Sequence, residues 1–535
     1  MSEKPRQKKF TRRSRTGCRT CRARHVKCDE TPIECKNCTS AGWKCDGYDA
    51  NRSKRIAHNK DRQVCVKILS PYSHIVSKAQ PGKNPDEWRA FAFFQASTVP
   101  KMAGFFDSSL WNKLVLPMCH AEPAVSHAVI ALSTLHEDLE IHGTPLPRED
   151  LGNDRHRFAM EQYGRALSAL NRRRYVYDSK MRDVVLTCCL LFVVFELLRG
   201  RYDPALLHLE KGLSIIRHHG WNDGDDQDAE ESLTEAMSRL DVQAVFFGVR
   251  DNYFDPSSIN DTVIEDSPHG FRNLAEARRE SDRVSDRVFR FVRYVKALSS
   301  EGSSMENIIE HLDEHQIELK AELEKYSERL NKSQKLLLQP GGPREKRAFD
   351  LISLHHMSSS VVLDTYLDDE DILNSDAHLD ACEDLVALSE KIINSVRAES
   401  GSDWKSLPSL SLDTGIIPSL LYVCTKCPHA PMRQRALNLL DSWPHREGLW
   451  DSNLVAILAR QLIAIETEAE AERLSAEGMV STPVNVAYIS TVSRVQDAFL
   501  RVAEDQTHAV ITYTTKETEN EGTKKARLVI LDDYA

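Results

Sequence analysis

The sequence lacks the features that mark exported and membrane-spanning proteins. Met1 to Arg15 carry seven Lys or Arg and one Glu, and no apolar stretch follows, which excludes a secretory signal of the usual kind. The longest apolar run, Val184 to Leu198, contains Glu196 and is shorter than the ~20 residues that cross a bilayer. We therefore predict a buried core helix there, no membrane partner, and a reducing compartment, where clustered cysteines bind metal more often than they form disulfides.

Signatures of common catalytic sites are also missing. The chain has no Gly-rich phosphate loop, no nucleophile elbow and no second set of clustered metal ligands. With no candidate catalytic residues, we do not expect an enzyme.

Charge is divided unevenly along the chain. Residues 1 to 62 carry 18 Lys and Arg against 7 Asp and Glu, whereas the remaining residues carry 52 against 73. A basic end on an acidic body indicates a polyanionic partner for the first ~60 residues. A basic tail that only improves solubility is the alternative reading of charge alone.

Six of the 13 cysteines repeat the spacing Cys-x2-Cys-x6-Cys after 17 residues, and they are Cys18, Cys21, Cys28, Cys35, Cys38 and Cys45. A structural zinc ion takes four ligands, so three cysteines cannot complete a site alone. Two zinc ions need eight bonds, which six thiolates supply only if two of them bridge both ions. The repeat predicts that Cys18 and Cys35, the first cysteine of each unit, are the bridging pair. A disulfide framework or chance spacing is the alternative.

The segments CRTCRARHVKCDE, TPIEC with Pro32, and AGWKCDGY resemble the fungal zinc binuclear cluster transcription factors. The resemblance implies that residues 17–48 form a module that holds two zinc ions and binds double-stranded DNA. In that family a short helix enters the major groove, where two basic residues meet a CGG triplet. The matching residues are Arg24 and His25. His25 departs from the usual Lys or Arg, and a neutral imidazole offers guanine one donor where an Arg fork engages both acceptors.

Further basic residues of the module are expected to contact phosphates, and these are Arg19, Arg22, Lys27 and Lys36. Two basic runs flank the module, KKFTRRSR (Lys8 to Arg15) and RSKRIAHNKDR (Arg52 to Arg62). They serve either as nuclear import signals or as extra phosphate contacts. The resemblance implies a nuclear protein.

The rest of the chain is predicted to be mostly α. Residues 1–16 form a basic disordered arm, and residues 49–83 are polar, have no heptad and indicate a linker. Apolar residues recur at helical spacing from Asn84 onward, so residues 84–535 are predicted to form one large all-α-helical domain. Segments such as EPAVSHAVIALSTLHEDL and YGRALSAL resemble the regulatory domain of one branch of these factors. The final segment, THAVITYTTKETENEGTKKARLVILDDYA, predicts a short β-hairpin.

Three motifs in the helical region are predicted to be ordinary packing. Met305, Ile309, Leu312, Leu319, Leu323, Tyr326 and Leu330 follow a heptad-like spacing, which indicates either a dimer seam or, as we favour, a helix packed within the domain. HLDEH (His311 to His315) matches a zinc peptidase pattern but lies on a polar helix face. CTKC (Cys424 to Cys427) lacks a second pair and indicates helix-end cysteines in a core.

The chain has two acidic stretches, Asn222 to Glu231 and Leu367 to Leu373. Each is either a solvated loop or a surface that recruits a coactivator. The second is the better coactivator candidate, because apolar residues stand beside its acids.

The sequence thus predicts a nuclear, zinc-dependent regulator of RNA polymerase II genes that reads CGG-like triplets. A homodimer, a coactivator and a small-molecule effector are further expected partners. The rival is a helical enzyme or metabolite-binding protein whose zinc module only serves assembly. A third class is a scaffold whose zinc module binds protein, in which case its basic insert would be idle.

Overall fold

In the computed structural model, internal contacts divide the chain into two units, Met1–Gly82 and Lys83–Ala535. The structure describes residues 17–29, 31, 34–46, 84–104, 106, 109–143, 150–173, 180–218, 227–246, 270–300, 306–339, 341–366, 370–400, 407–478, 486–515 and 524–531. The predicted arm (1–16) and linker (49–83) lie outside the described residues.

The first unit contains two short helices, α1 (Arg19–Ala23) and α2 (Lys36–Thr39). The second unit is mostly helical, which confirms the predicted fold class. Its first helices are α3 (Pro85–Phe93), α4 (Val99–Met102), α5 (Leu116–Ala121), α6 (Pro123–His142), α7 (Asp154–Arg173), α8 (Met181–Leu198), α9 (Tyr202–His218) and α10 (Gln227–Phe246). Two π-helical turns, Phe94–Thr98 and Leu110–Val115, lead into α4 and α5.

The later helices of the second unit are longer on average. They are α11 (Leu274–Ser300), α12 (Glu306–Leu337), α13 (Pro343–Asp364), α14 (Glu370–Leu373), α15 (Asp376–Ser400), α16 (Ile417–Lys426), α17 (Ala430–Ser442) and α18 (Ser452–Ala476). Several begin at a proline, whose missing N–H costs nothing in the first turn of a helix. Helix α3 combines a proline in its first turn with a capping box, which Asn84 and Glu87 form around Pro85.

Helix α8 is apolar on every side and lies within the largest hydrophobic core, together with residues of α6, α7, α9 and α10. Every residue from Val184 to Leu198 except Val185 is buried, which confirms the predicted core helix. The acidic exception in this run, Glu196, accepts a hydrogen bond from Arg199 at 2.6 Å and is thereby paired. Among the described residues no single helix is long and apolar enough to cross a membrane, although the bent pair Leu110–Ala121 and Pro123–His142 passes by length and composition.

The heptad-like stripe on α12 packs inside the second unit. Leu319, Leu323, Tyr326 and Leu330 are each less than 5% exposed. Leu319 and Leu323 join a core with α11, whereas Tyr326 and Leu330 join the core of α13 and α15 to α18. The intradomain interpretation is therefore confirmed for these residues, and Met305 lies outside the described residues.

Two small sheets accompany the helices, so the second unit is not purely α. The first consists of two-residue strands, β1 (Leu410–Ser411), β2 (Arg446–Glu447) and β3 (Trp450–Asp451). The second is antiparallel, in the order β4 (Val495–Val502), β5 (His508–Thr515), β6 (Lys525–Ile530). Strands β5 and β6 are the predicted hairpin. Strand β4 was not predicted, because Phe499 interrupts the alternation of Ala498, Leu500 and Val502 with polar residues.

The remaining motifs of the second unit have different outcomes. Cys424 and Cys427 are fully buried at the end of α16, as the core interpretation of CTKC predicts. The side chain of His311 lies outside the described residues. Beside the second acidic stretch, Tyr366 and Leu373 are buried and Ile372 is 40% exposed. Leu367 lies outside the described residues, and the coactivator hypothesis stays a prediction.

A buried ion pair joins four elements of the second unit. The Arg433 guanidinium on α17 pairs with Glu466 on α18, and the two side chains are 0% and 1% exposed. Arg433 also donates to the carbonyl oxygens of Thr425, at 3.1 Å, and Cys427 at the end of α16. Glu466 accepts a hydrogen bond from the backbone N–H of Val495 at 2.8 Å, at the start of β4.

We predict that Arg433→Met lowers the stability of the second unit by about 3–5 kcal/mol, because it leaves the Glu466 carboxylate buried without its counter-charge. Adding Glu466→Leu should recover a large part of this loss, since both charges are then removed together. Thermal unfolding of the full chain followed by circular dichroism measures both effects. A single variant as stable as the wild type would contradict this account of the pair.

Candidate metal centre and nucleic-acid interface

The two cysteine repeats fold in the same way. The Sγ atom of Cys18 caps α1 by accepting the N–H of Cys21 at 3.3 Å, and the Sγ atom of Cys35 caps α2 by accepting the N–H of Cys38 at 3.3 Å. The third cysteine of each repeat returns to the first, because the Cys18 N–H donates to Cys28 Sγ and the Cys35 N–H to Cys45 Sγ, both at 3.4 Å. The repeat in the sequence is therefore a repeat in the fold.

The six sulfur atoms meet in one buried cluster. In two sets of four cysteines, all Sγ atoms lie within 4.8 Å of one another. One set is Cys18, Cys21, Cys28 and Cys35, and the other is Cys18, Cys35, Cys38 and Cys45. Cys18 and Cys35 belong to both sets, and their Sγ atoms are 3.6 Å apart. A tetrahedral zinc with bonds of ~2.3 Å holds its sulfur ligands about 3.8 Å apart, which is close to the 3.6 Å between these two Sγ atoms.

A metal ion that binds this cluster must displace protons from its thiols. Burial raises the pKa of the Cys18 thiol to about 12 and raises the pKa of Cys21 and Cys35. Buried thiols of this kind stay neutral at pH 7 unless a cation replaces their protons.

Polar contacts cross from each repeat to the other at matching positions. The carboxylate of Asp29, which follows the first repeat, accepts the N–H groups of Lys36 at 3.1 Å and Asn37 at 3.3 Å at the start of α2. Its pKa is lowered to about 2, first by the hydrogen bond from the Thr31 hydroxyl and then by these N–H groups. Asp46 occupies the equivalent place in the second repeat, and its N–H donates to the Thr20 hydroxyl on α1 at 2.9 Å.

His25 terminates α1 with a positive φ of 54°. Its N–H donates to the carbonyl of Arg22 at 3.2 Å and the N–H of Val26 to that of Cys21 at 3.1 Å, which is the Schellman pattern. Gly42 has a φ of 70° at the equivalent place after α2. Histidine tolerates the left-handed region better than most side chains do, so the departure at His25 fits the backbone.

The predicted DNA contacts form an exposed basic surface on the first unit. Arg24 is half-buried, and the exposed residues are Arg19, Arg22, His25, Lys27 and Lys36. The Arg24 guanidinium lies over the indole ring of Trp43, 4.6 Å from its centroid, and its Nη1 atom has no hydrogen-bond partner in the described part of the chain. Trp43 is itself 55% exposed.

Sequence reasoning missed Trp43 as a functional residue. A cation–π contact of this kind holds a guanidinium in one orientation at small cost. The sequence does contain a signal for it, because Trp43 occupies the position in the second repeat that Val26 occupies in the first.

Comparisons with known proteins agree with this geometry. Residues 16–55 match the fungal Zn(2)-Cys(6) binuclear cluster domain, and residues 89–398 match the fungal specific transcription factor domain. The aspercryptin biosynthesis cluster-specific transcription regulator atnN of Emericella nidulans is 23% identical over 85% of this chain and 88% of its own length. The transcription regulator lscL of Purpureocillium lilacinum is 25% identical over 53% of this chain and 73% of its own length. No solved structure matches the chain.

The helical unit and the thiol cluster define a DNA-binding transcription regulator with a two-zinc cofactor, not an enzyme. The chain belongs to the fungal-specific transcription factors that carry an N-terminal Zn(2)-Cys(6) binuclear cluster. The alternative of an enzyme or metabolite-binding protein whose zinc module only serves assembly is not favoured.

We predict that Thr20→Val accelerates zinc loss to a chelator, because the N–H of Asp46 loses its partner and the two repeats separate more easily. Thr39→Val is the matched control, since the Thr39 hydroxyl bonds only to carbonyls of its own helix, those of Cys35 and Lys36. Zinc transfer to a colorimetric chelator measures both rates. Equal rates in the two variants would contradict the coupling of the repeats.

Proposed function

We propose that the six cysteines are the zinc ligands and that Cys18 and Cys35 bridge the two ions. The observation that carries this proposal is the membership of Cys18 and Cys35 in both sets of four thiols. The zinc ions would supply the bonds that join α1 to α2, because helices of five and four residues have almost no stability alone.

We further propose that Arg24 and His25 contact base edges in the major groove, and that Arg19, Arg22, Lys27 and Lys36 contact phosphates. The exposure of the other basic residues on the same surface supports this division. An Arg fork that engages N7 and O6 favours guanine, which fits a CGG-like triplet. His25 offers one hydrogen-bond donor to its base pair, so we expect the choice of base to be least restricted at that position of the triplet.

The family acts in the nucleus. We propose that this chain is nuclear and that Lys8 to Arg15 and Arg52 to Arg62 provide import signals or further phosphate contacts. Both runs lie outside the described residues.

The domain organisation that we propose is a basic arm at 1–16, the cluster at 17–48, a linker at 49–83 and a regulatory domain at 84–535. A homodimer and a coactivator stay predictions. The buried stripe on α12 does not supply a seam for dimerisation, because its described residues pack within the second unit. The mass of the complex with DNA would distinguish one chain from two.

We predict that Arg24→Ala weakens binding to the preferred DNA site by about 1–3 kcal/mol and relaxes base choice, because a bidentate base contact is lost. Lys27→Ala is the matched basic control and should weaken all sequences alike, since a phosphate contact carries no sequence information. Competition between preferred and scrambled duplexes at several salt concentrations measures both. Equal losses on both duplexes for Arg24→Ala would refute the assignment.

We predict that Cys35→Ser removes both zinc ions, whereas Cys45→Ser leaves about one, because only the former cysteine belongs to both sites. Native mass spectrometry of the full chain counts the ions. Identical zinc content in the two variants would overturn the assignment of Cys35 as a bridge.

A further inference from the structure

A cavity of about 560 Å³ lies in the second unit, between strand β4 and the starts of α9 and α18. Its apolar lining includes Leu206, Leu421, Trp450, Leu454 and Leu458. The volume lies within the ~300–1,000 Å³ usual for sites that bind small molecules. Neither the zinc cluster nor the proposed DNA contacts use this cavity.

One wall of the cavity is the edge of a sheet. Strand β4 pairs only with β5 among the described strands, and all residues from Ala498 to Glu504 line the cavity. The N–H of Ala503 donates to the carbonyl of His508 at 2.9 Å, which fixes the phase of the ladder. In an antiparallel pair, alternate residues direct their N–H and C=O groups away from the partner strand.

By this alternation, Ala498, Leu500 and Val502, which line the cavity, direct their backbone groups away from β5. None of these N–H or C=O groups has a hydrogen-bond partner in the described part of the chain. A row of unpaired backbone groups is the template to which another extended segment adds as a strand.

Hydrogen bonds within the chain hold the walls of the cavity in place. Arg201 donates to the carbonyl of Glu504 at 3.3 Å, and Gln506 donates to the carbonyl of Arg199 at 2.6 Å, which holds the β4–β5 turn against the end of α8. On the other side, buried Arg446 donates to Asp451 at 2.7 Å and to the Tyr202 hydroxyl at 3.3 Å. The cavity is therefore preformed, as ligand sites usually are.

The charged residues of the lining balance in sign. Arg201 and Arg501 stand against Asp203 and Glu504, and Asp451 is paired with Arg446. Such a lining gives no preference for a net anion or cation. A ligand of this cavity would therefore be held by apolar contacts and by hydrogen bonds to the backbone.

We propose that this cavity binds a short, neutral, apolar peptide or peptide-like amide, which adds to the outer edge of β4 as a fourth strand. Strand pairing supplies the hydrogen bonds, and the leucines of α9, α16 and α18 receive the apolar side chains. The volume accommodates only a few residues, which favours a small free ligand over a strand of another protein. The proposal concerns the second unit and does not depend on the zinc or DNA assignments.

The probe is a pool of tetrapeptides built from Val, Leu, Ile and Phe, with acetylated N-termini and amidated C-termini. The zinc-loaded full chain is dialysed against the pool, and the retained peptides are identified by mass spectrometry. The best-retained peptide is then N-methylated either at the two amides of one edge or at the two of the other. We expect one of these analogues to bind about tenfold more weakly and the other to bind about as well as the parent peptide, because only one edge pairs with β4.

A pair of variants tests the location. Leu458→Trp fills the cavity and should weaken binding of the same peptide about tenfold or more. Leu528→Trp is the control, since Leu528 is 62% exposed on strand β6 and is not part of the lining. Melting temperatures show that both variants fold, and the control should bind like the wild type.

Three results would overturn the proposal. Retention of no peptide from the pool would show that the cavity has no such ligand chemistry. Equal losses for the two N-methylated analogues would show that no strand pairing occurs. Much tighter binding of an eight-residue peptide than of the tetrapeptide would identify the edge as a docking place for a protein strand, which is contrary to the small-ligand assignment.

Discussion

Six thiols that share two metal ions are the constraint on which the DNA-binding unit depends. Helices of five and four residues bury almost nothing, so the bonds through the cluster must hold them together. The same cysteines also organise the backbone. The Sγ atoms of Cys18 and Cys35 cap their helices, and the N–H groups of the same two residues donate to the third cysteine of their own repeat. Metal binding, helix capping and the mutual orientation of the repeats are therefore one structural event.

The basic surface inherits its geometry from that cluster. Because α1 ends in a left-handed turn at His25, the side chains of Arg24 and His25 leave the helix from its last turn. The second repeat contributes Trp43, whose ring holds the Arg24 guanidinium. One repeat thus provides the arginine and the other restrains it, and this contact is possible only when both repeats are assembled. The second unit is stabilised differently, by large apolar cores and by buried ion pairs such as Arg433 with Glu466.

Local patterns in the sequence predict much of this structure. Cysteine spacing predicts the cluster, because each repeat is formed by residues close in the chain. The long apolar run predicts α8, and helical periodicity predicts the buried stripe of α12. Contacts between distant residues were not predictable, since neither the stacking of Arg24 on Trp43 nor the cross-contacts of Asp29 and Asp46 follow from a local pattern. Strand β4 was missed because Phe499 interrupts the alternation in VQDAFLRV, and the segment gains its conformation by pairing with β5. The cavity beside β4 likewise arises only from tertiary packing.

The central claim is that a zinc-dependent cluster gives this chain its choice of DNA sequence. Selection of bound duplexes from random DNA by the zinc-loaded full chain, repeated after removal of zinc, tests it most directly. The account predicts enrichment of a guanine-rich, CGG-like triplet with zinc and no enrichment without it. Absence of any enriched sequence, or enrichment that survives removal of zinc, would contradict it.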